Sequence, residues 1–434
     1  MTIRAVAILV FVALGCASRL TAAENPPNVV LIVADDHGWT DYGFMGHPHV
    51  KTPHLDRLAA QSLTFRRGYV PASLCCPSLA SLISGRYPHQ HKVTSNDPPM
   101  PSGMMPGQFQ KSQAFLDCRE VMTKHLEAVP TLPRLLAQKG YVSLQTGKWW
   151  QGDYRRGGFT HGMTKGQRHG DEGLDIGRKT MQPVFDFAAD ARKAGKPFFV
   201  WYAPMLPHTP HNPPERLLAK YRNKAPSLPV AKYWAMVEWF DETCGQLLDH
   251  LEKEKLADNT IVVYVADNGW IQDPDGALSV RSKRTPYDAG LRMPILIRWP
   301  GKIKPRSSDA LASSLDIMPT ILVAVGLPAG KDLPGLNLLD EAAVGRRKTL
   351  HGECHTHNAV DLNDPAKNVR HRWIIDGNWK LIVPHVPADK DGPGEPELYD
   401  LAADQLEKTN RIAEKPDVAA TLRKKLDAWW NPAR

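Results

Sequence analysis

Three uninterrupted apolar runs mark the chain, at residues 28–34, 197–202 and 260–266. Rich in Val, Ile and aromatics and lacking alternation, they suit strands buried on both faces of a parallel sheet. Shorter runs at 65–70, 141–145 and 294–299 predict further strands. Between them, apolar residues recur at three- and four-residue spacing, the mark of helices with one buried face. Residues 52–63 start with a capping Thr52 and with Pro53, and put Leu55, Leu58 and Ala59 on one side. Segment 131–139 does the same with Leu132, Leu135 and Leu136, and 176–194 with Met181, Val184, Phe185 and Ala188. Segment 230–254 turns Val237, Phe240, Leu247, Leu248 and Leu251 inward. Strands alternating with helices predict an α/β fold: a large, mostly parallel sheet flanked by helices.

Beyond a Gly- and Pro-rich linker at 328–347, the pattern changes. Residues 373–383 alternate around Asp376-Gly377, a strong hairpin turn, and 416–430 read as an amphipathic closing helix. The tail is therefore expected to be a smaller α+β domain with an antiparallel sheet. The expected division is a leader at 1–23, a catalytic α/β domain at 24–345 and a small C-terminal domain at 346–434. No internal repeat is visible.

The polar residues that end the apolar runs carry the chemistry. Asp35 and Asp36 follow the first strand, and Asp267 and Asn268 follow the strand at 260–266. In open α/β sheets ligands bind in the crevice outside the carboxyl ends of the strands. Adjacent carboxylates there are costly unless a cation neutralises them. Carboxylate and amide oxygens from two strand ends suit a hard divalent ion, calcium or, as the alternative, magnesium.

Segment 72–85 frames a short helix, with Pro77 suited to its first position and Gly85 to the residue past its end. Leu79, Leu82 and Ile83 are its buried face. Cys75 and Cys76 then lie at the helix N-terminus, where free N–H groups and the macrodipole favour an anion and are expected to lower a thiol pKa. His89 and His91 follow on a loop, as site or as packing histidines. Segments 98–118 and 151–173 are irregular, the first a loop or lid and the second an exposed excursion over the crevice mouth.

Composition narrows the classes. The 434 residues are 42% hydrophobic and 23% charged, ordinary for a globular protein. Lys and Arg number 54 against 46 Asp and Glu, giving a net charge of +8. The basic residues are scattered, so nucleic acid is not the expected partner, while anionic substrates are compatible. Arg4, the apolar run at 5–14 and the small residues Thr21, Ala22 and Ala23 read as an export signal. A lipoprotein signal ending at Cys16 is an alternative. No later run is apolar enough to span a membrane, so a periplasmic or secreted protein is expected. Without Cys16 the cysteines number five, an odd count without metal-site spacing.

Cys75, Pro77 and Gly85 match in order the Cys-x-Pro-x-Arg helix signature of the formylglycine-dependent sulfatases, within the alkaline phosphatase superfamily. Four further segments resemble that family in the same order. Residues 146–149 resemble its Thr-Gly-Lys-Trp-His stretch, and 203–208 its Ala-Pro-His-x-Pro segment. Residues 283–294 resemble Lys-x-Thr-x-Tyr-x-x-Gly-x-Arg-x-Pro almost position for position, and 316–320 its Asp-Ile-x-Pro-Thr helix start. Two positions depart: Leu79 stands where the family has Arg, and Trp150 where it has His.

The resemblance implies an alkaline-phosphatase-like fold and hydrolysis of organic sulfate esters, with a sulfated carbohydrate as the class in view. It implies that a maturase converts Cys75 to formylglycine, whose hydrate supplies the attacking hydroxyl. Lys148 and Lys283 are implied to contact the sulfate, and His208, with His211 close behind, to contact the sulfate or the leaving oxygen. Asp35, Asp36, Asp267, Asn268 and the modified Cys75 are implied to surround the metal. Conversion despite Leu79 is the first expectation; a thiolate at Cys75 or Cys76, or a non-catalytic binder of sulfated glycans, are the alternatives. A phosphoester or phosphonate hydrolase is the alternative within the fold.

Overall fold

The computed structural model of the protein describes residues 26–385 and 392–433. The leader expected at 1–23 lies outside the described residues. No helix among the described residues is long and apolar enough to cross a membrane.

The apolar runs become the centre of a sheet. Its strands are β1 (Asn28–Ala34), β2 (Leu63–Tyr69), β3 (Val142–Gly147), β4 (His161–Gly162), β5 (Phe198–Ala203), β6 (Thr260–Ala266), β7 (Arg292–Arg298) and β8 (Arg306–Ser313). They lie in the order β4-β3-β5-β1-β6-β7-β2-β8. The first five in that order are parallel, β7 runs against both its neighbours, and β2 and β8 are parallel. β1, β5 and β6, the three unbroken runs, sit side by side and are buried along their whole length. Only residues apolar on both pleats fit there, because both faces are covered. The long helix Leu228–Lys253 lies against Pro53–Ala60, where buried Asp241 accepts the free N–H groups of His54 and Leu55 at 3.1 and 2.7 Å. A carboxylate there satisfies donors that have no partner within the helix.

The second sheet is antiparallel. Its strands β9 (Thr349–His355), β10 (Val369–Asp376), β11 (Trp379–Pro384) and β12 (Glu397–Asp400) lie in the order β12-β11-β10-β9. The turn between β10 and β11 falls on Asp376-Gly377 as expected. Alternation divides its side chains cleanly: Trp373, Ile375, Ile382 and Tyr399 join the main core. Ile374, Leu381, Val383 and Leu398 pack instead under Ala419, Leu422 and Leu426 of helix Pro416–Trp429. Burying each such aliphatic side chain contributes about 1.5–3 kcal/mol, so the tail is tied on both faces.

Some expectations shift. The helix expected over 176–194 begins at Gln182, with Pro183 in its first turn, the position proline tolerates best. The linker at 328–347 contains a short helix, Glu341–Arg346, capped by Asp340. Segment 151–173 is not simply exposed: it supplies the edge strand β4 and buries Phe159, whose ring meets that of Trp149 edge-on at 5.4 Å. Within 98–118, a helix begins at Gln113. Cys75, Cys76, Cys118, Cys244 and Cys354 are all free thiols.

Candidate active site

The site is built by strand register. Ala34 of β1 pairs with Ala266 of β6, so Asp35 and Asp267 leave the sheet side by side at its carboxyl edge. Asp36 has φ 64, a left-handed conformation enriched in Asp among non-glycine residues. Its N–H donates to Asp267 Oδ1 at 3.2 Å, and Asn268 Nδ2 donates to Asp36 Oδ1 at 2.7 Å. The two strand ends expected to share an ion do meet.

Two lysines reach the same carboxylates. Gly147 at the end of β3 has φ 72, and its Cα approaches the Ala203 carbonyl so closely that a Cβ would lie 1.9 Å from the oxygen. That contact lets Lys148 N–H bond the same carbonyl at 2.6 Å and sends Lys148 Nζ to Asp35 Oδ1 at 2.6 Å. Lys283 Nζ reaches Asp36 Oδ1, also at 2.6 Å. Both ammonium groups are buried, which alone would pull their pKa values down. The surrounding carboxylates, Asp35 for Lys148 and Asp36 for Lys283, outweigh that and hold them charged.

The helix that begins at Cys75 spans Cys75–Ser84, so Pro77 occupies its third position rather than its first. Gly85, at φ 65, closes it by donating to Ser81 O at 2.8 Å. Every residue of the helix is buried, not only Leu79, Leu82 and Ile83. Cys75 Sγ lies 3.8 Å from Asp35 Oδ1 and 3.9 Å from Asp36 Oδ1. The expected lowering of the thiol pKa is not met. Burial pushes Cys75 up, against the pull of Lys148 and Lys283, and burial pushes Cys76 up as well. Cys76 is otherwise held by Asn96 Oδ1, which accepts its N–H at 2.9 Å, and by Gln151 Nε2, which donates to its sulfur at 3.1 Å.

His208 Nε2 faces Asp36 Oδ2 at 3.4 Å. Its Nδ1 lies 2.6 Å from Thr209 O, and a carbonyl can only accept, so Nδ1 carries a proton and Nε2 is the nitrogen presented to the site. His211 lies further out, its ring 5.4 Å from that of Tyr233 and 5.9 Å from that of Trp270. His89 and His91 belong elsewhere. His89 Nδ1 pairs with buried Glu353 at 3.1 Å, and His91 Nε2 meets Ser81 Oγ at 3.0 Å. They are the packing histidines.

Four buried oxygens in the cluster have no hydrogen-bond partner: Asp35 Oδ2, Asp36 Oδ2, Asp267 Oδ2 and Asn268 Oδ1. Orphaned buried acceptors cost about 1–3 kcal/mol each, so such a set signals a missing positive partner. Three carboxylates against two ammonium groups leave excess negative charge. Burial and the nearby Asp35 and Asp36 push the Asp267 carboxyl well up, while Asp36, held by Lys283 and Lys148 against its burial, stays low. Ligand atoms of Asp35, Asp36, Cys75 and His208 all lie within 4.8 Å of one another. The oxygens among them, with the orphaned oxygens of Asp267 and Asn268, are hard donors that fit calcium or magnesium.

Sequence reasoning singled out Trp150 but missed Arg168 and His169, which gather on its ring beside the cluster. The Trp150 ring is approached by Lys148 Nζ at 5.9 Å and by the Arg168 guanidinium at 5.0 Å. The His169 ring meets it edge-on at 4.4 Å and lies 6.0 Å from that of His208. His169 has φ 69, a strained backbone fixed by the loop around it. Nothing in the periodicity of 151–173 signals that return to the site.

The sequence model described as Sulfatase matches residues 27–327. The chain belongs to the sulfatase family. A second model, the N-sulphoglucosamine sulphohydrolase C-terminal region, matches residues 276–431. Human arylsulfatase A is 31% identical over 369 residues, covering 73% of this chain and 67% of its own. The N-acetylgalactosamine-6-O-sulfatase of Bacteroides thetaiotaomicron is 24% identical and covers 93% of both chains. A solved structure described as a complex with its substrate, D-glucosamine-2-N,6-O-disulfate, superposes with TM-score 0.74 at 21% identity. It covers 94% of this chain and 98% of that one. The fold is thus that of the alkaline-phosphatase-like sulfatases, and the reaction class is sulfuric ester hydrolysis. That family is metal-dependent and of the formylglycine type, which agrees with the oxygen cluster and the cysteine facing it.

Proposed function

We propose that this sulfatase removes sulfate from a sulfated carbohydrate, using Cys75 after conversion to formylglycine as its nucleophile and a calcium ion held by Asp35, Asp36, Asp267 and Asn268. The observation that carries the reading is the set of four orphaned buried oxygens opposite Cys75. The relatives named for N-acetylgalactosamine 6-sulfate and for a glucosamine disulfate support the carbohydrate. Magnesium would bind the same oxygens with less freedom of geometry.

When bound, calcium supplies positive charge to the sulfate oxygens, and the formylglycine hydrate supplies a hydroxyl for attack and a second one for release. The rest is done by side chains. Lys148 and Lys283 are held charged by their carboxylates and set the sulfate between them, facing the charge that spreads over its oxygens in the transition state. Asn96 and Gln151, by holding Cys76, keep the start of the nucleophile helix aimed at the carboxylates. His208 keeps one proton on Nδ1, donated to Thr209 O, so when Nε2 is protonated as well it hands that second proton to the departing alcohol oxygen.

The division into a catalytic domain at 24–345 and a C-terminal domain at 346–434 belongs to this reading, as does export by the leader to the periplasm or beyond. The test is the mass of the peptide spanning Cys75 from protein made in its native host or with a maturase. The aldehyde mass, together with release of inorganic sulfate from an aryl sulfate but no phosphate from the matching phosphate ester, is expected. An intact thiol throughout the active preparation would overturn the mechanism.

A further inference from the structure

Beside the cluster lies a cavity of about 500 Å³ that the sulfate chemistry does not use. Its walls come from three separate stretches. The segment after the nucleophile helix gives Asp97, Met100, Phe109 and Phe115, the 151–173 excursion gives Arg168, and the loop after β9 gives His357 and Asn358. The backbone locks the first and third together: Asn96 N–H donates to His357 O at 3.0 Å and Ala359 N–H to Asp97 O at 2.8 Å. The cavity adjoins the site on two sides. Arg168 shares the Trp150 ring with Lys148, and His357 feels the charge of Lys283.

The two halves of this cavity differ in chemistry. Phe109 and Phe115, nearly fully buried and edge-on to each other at 5.3 Å, back an apolar wall whose open surface is Met100 and Pro106. Opposite stand Asp97, Arg168, His357 and Asn358, donors and acceptors in a fixed array. Arg168 donates to both Asp97 oxygens, at 2.8 and 2.9 Å, so its charge is already cancelled. Burial also holds the His357 imidazole in its neutral form. Among the side chains that line the chamber no positive charge is left over for a second anion; Lys283 and Arg284, whose charges reach His357, are not part of its lining. It suits an uncharged ring with one C–H face and a rim of hydroxyls.

We infer that this cavity, between Phe109, Phe115, Arg168 and Asn358, binds an uncharged sugar residue linked to the one that carries the scissile sulfate. The inference rests on the sulfatase reading above and deepens it: the substrate is an oligosaccharide whose next unit is neutral, not a free sulfated monosaccharide and not a chain with sulfate or carboxylate at that unit.

The experiment uses the full chain with Cys75→Ala, which has no nucleophile and binds without turnover, in calcium-containing buffer. It is titrated calorimetrically with inorganic sulfate, with singly sulfated hexoses and hexosamines, and with the same units linked to galactose or to glucuronic acid. The neutral disaccharide of at least one unit is expected to bind about tenfold tighter than its monosaccharide, the step that each 1.4 kcal/mol of added contact gives. The glucuronic acid disaccharide should gain less than about twofold. Asn358→Ala, on the half-exposed rim, and Phe109→Leu, which keeps an apolar side chain, should each shrink the neutral disaccharide's advantage several-fold, with folding checked by melting temperature. Sulfate binding without any disaccharide advantage, an advantage as large for glucuronic acid, or one that survives both substitutions overturns this inference and leaves the sulfatase reading standing. Failure of inorganic sulfate itself to bind overturns both.

Discussion

Replacing Asp267 by Asn should change stability with opposite sign in the absence and presence of calcium. Without an ion, three carboxylates, Asp35, Asp36 and Asp267, face only Lys148 and Lys283, and Asp267 Oδ2 has no hydrogen-bond partner. Two like charges about 4 Å apart at an effective dielectric of about 20 repel by about 4 kcal/mol, which the lysines offset in part. The metal-free protein bears this cost either as repulsion or as a proton held on Asp267, whose carboxyl is pushed well up, so removing the group should stabilise it by about 1–3 kcal/mol, the usual worth of relieving one uncompensated buried group. With roughly 2 cal/mol/K of unfolding entropy per residue, a chain of this length should melt roughly 1–3 °C higher. With calcium the sign reverses for any such gain below about 2.7 kcal/mol. Free calcium at about 1,000 times its dissociation constant stabilises the native protein by about 4 kcal/mol. A lost charged ligand that weakens binding about 100-fold leaves only about 1.4 kcal/mol of that. Melting curves of both proteins after chelation and at a series of calcium concentrations read both signs. A variant that is less stable than the parent after chelation, or that gains as much from calcium, would refute the assignment of Asp267 to the ion.

Lys148→Met and Lys283→Met should each lower kcat/KM on an aryl sulfate by about 10²–10³, the loss seen when one preorganised charge at a transition state is removed; steady-state kinetics check this, and a loss under tenfold in both would contradict their role. Gly147→Ala must place a methyl 1.9 Å from the Ala203 carbonyl oxygen at φ 72. It should cost about 2–5 kcal/mol from the left-handed backbone and the clash, read by urea unfolding, and should displace Lys148 enough to lower activity. Burial pushes the Asp241 carboxyl up to about 7. Because its folded pKa lies above its unfolded value, the group destabilises the native state progressively as pH rises from about 4 to 7, by on the order of 2–4 kcal/mol at the upper end. Urea unfolding of the parent and of Asp241→Asn at both pH values should show that loss in the parent only, and parallel slopes would exclude it.

The legible parts of this molecule are those set by local rules. β1 and β6 were plain because unbroken apolar runs have few other uses, and once both are strands of one parallel sheet their terminal acids must share its carboxyl edge. The hairpin at Asp376-Gly377 and the burial of Leu422 and Leu426 follow from turn chemistry and helical spacing in the same way. What depends on distant chain segments was not legible. The position of β7 against its neighbours is set by packing, and residues 292–298 carry no sign of direction. His169 reaches Trp150 and His208 only because the loop around it folds back at strained torsions. The thiol of Cys75 looked activated when only its helix was considered. Full burial among carboxylates reverses that, since desolvation acts from all sides and a helix end from one.

Leu79 can be placed in the same terms. It lies one turn beyond Cys75 on the same helix face, and its side chain packs into the core rather than offering a cation to the site. A third cation there would balance three carboxylates charge for charge. With Leu79 the balance stays negative, and the orphaned oxygens of Asp35, Asp36 and Asp267 remain for an ion to satisfy. An apolar residue at this position therefore bears first on how strongly the folded site depends on its metal, and only through that on the chemistry. The calcium titration of the parent protein reads this dependence directly, because the excess charge that repels in the chelated protein is the same charge that draws the cation in.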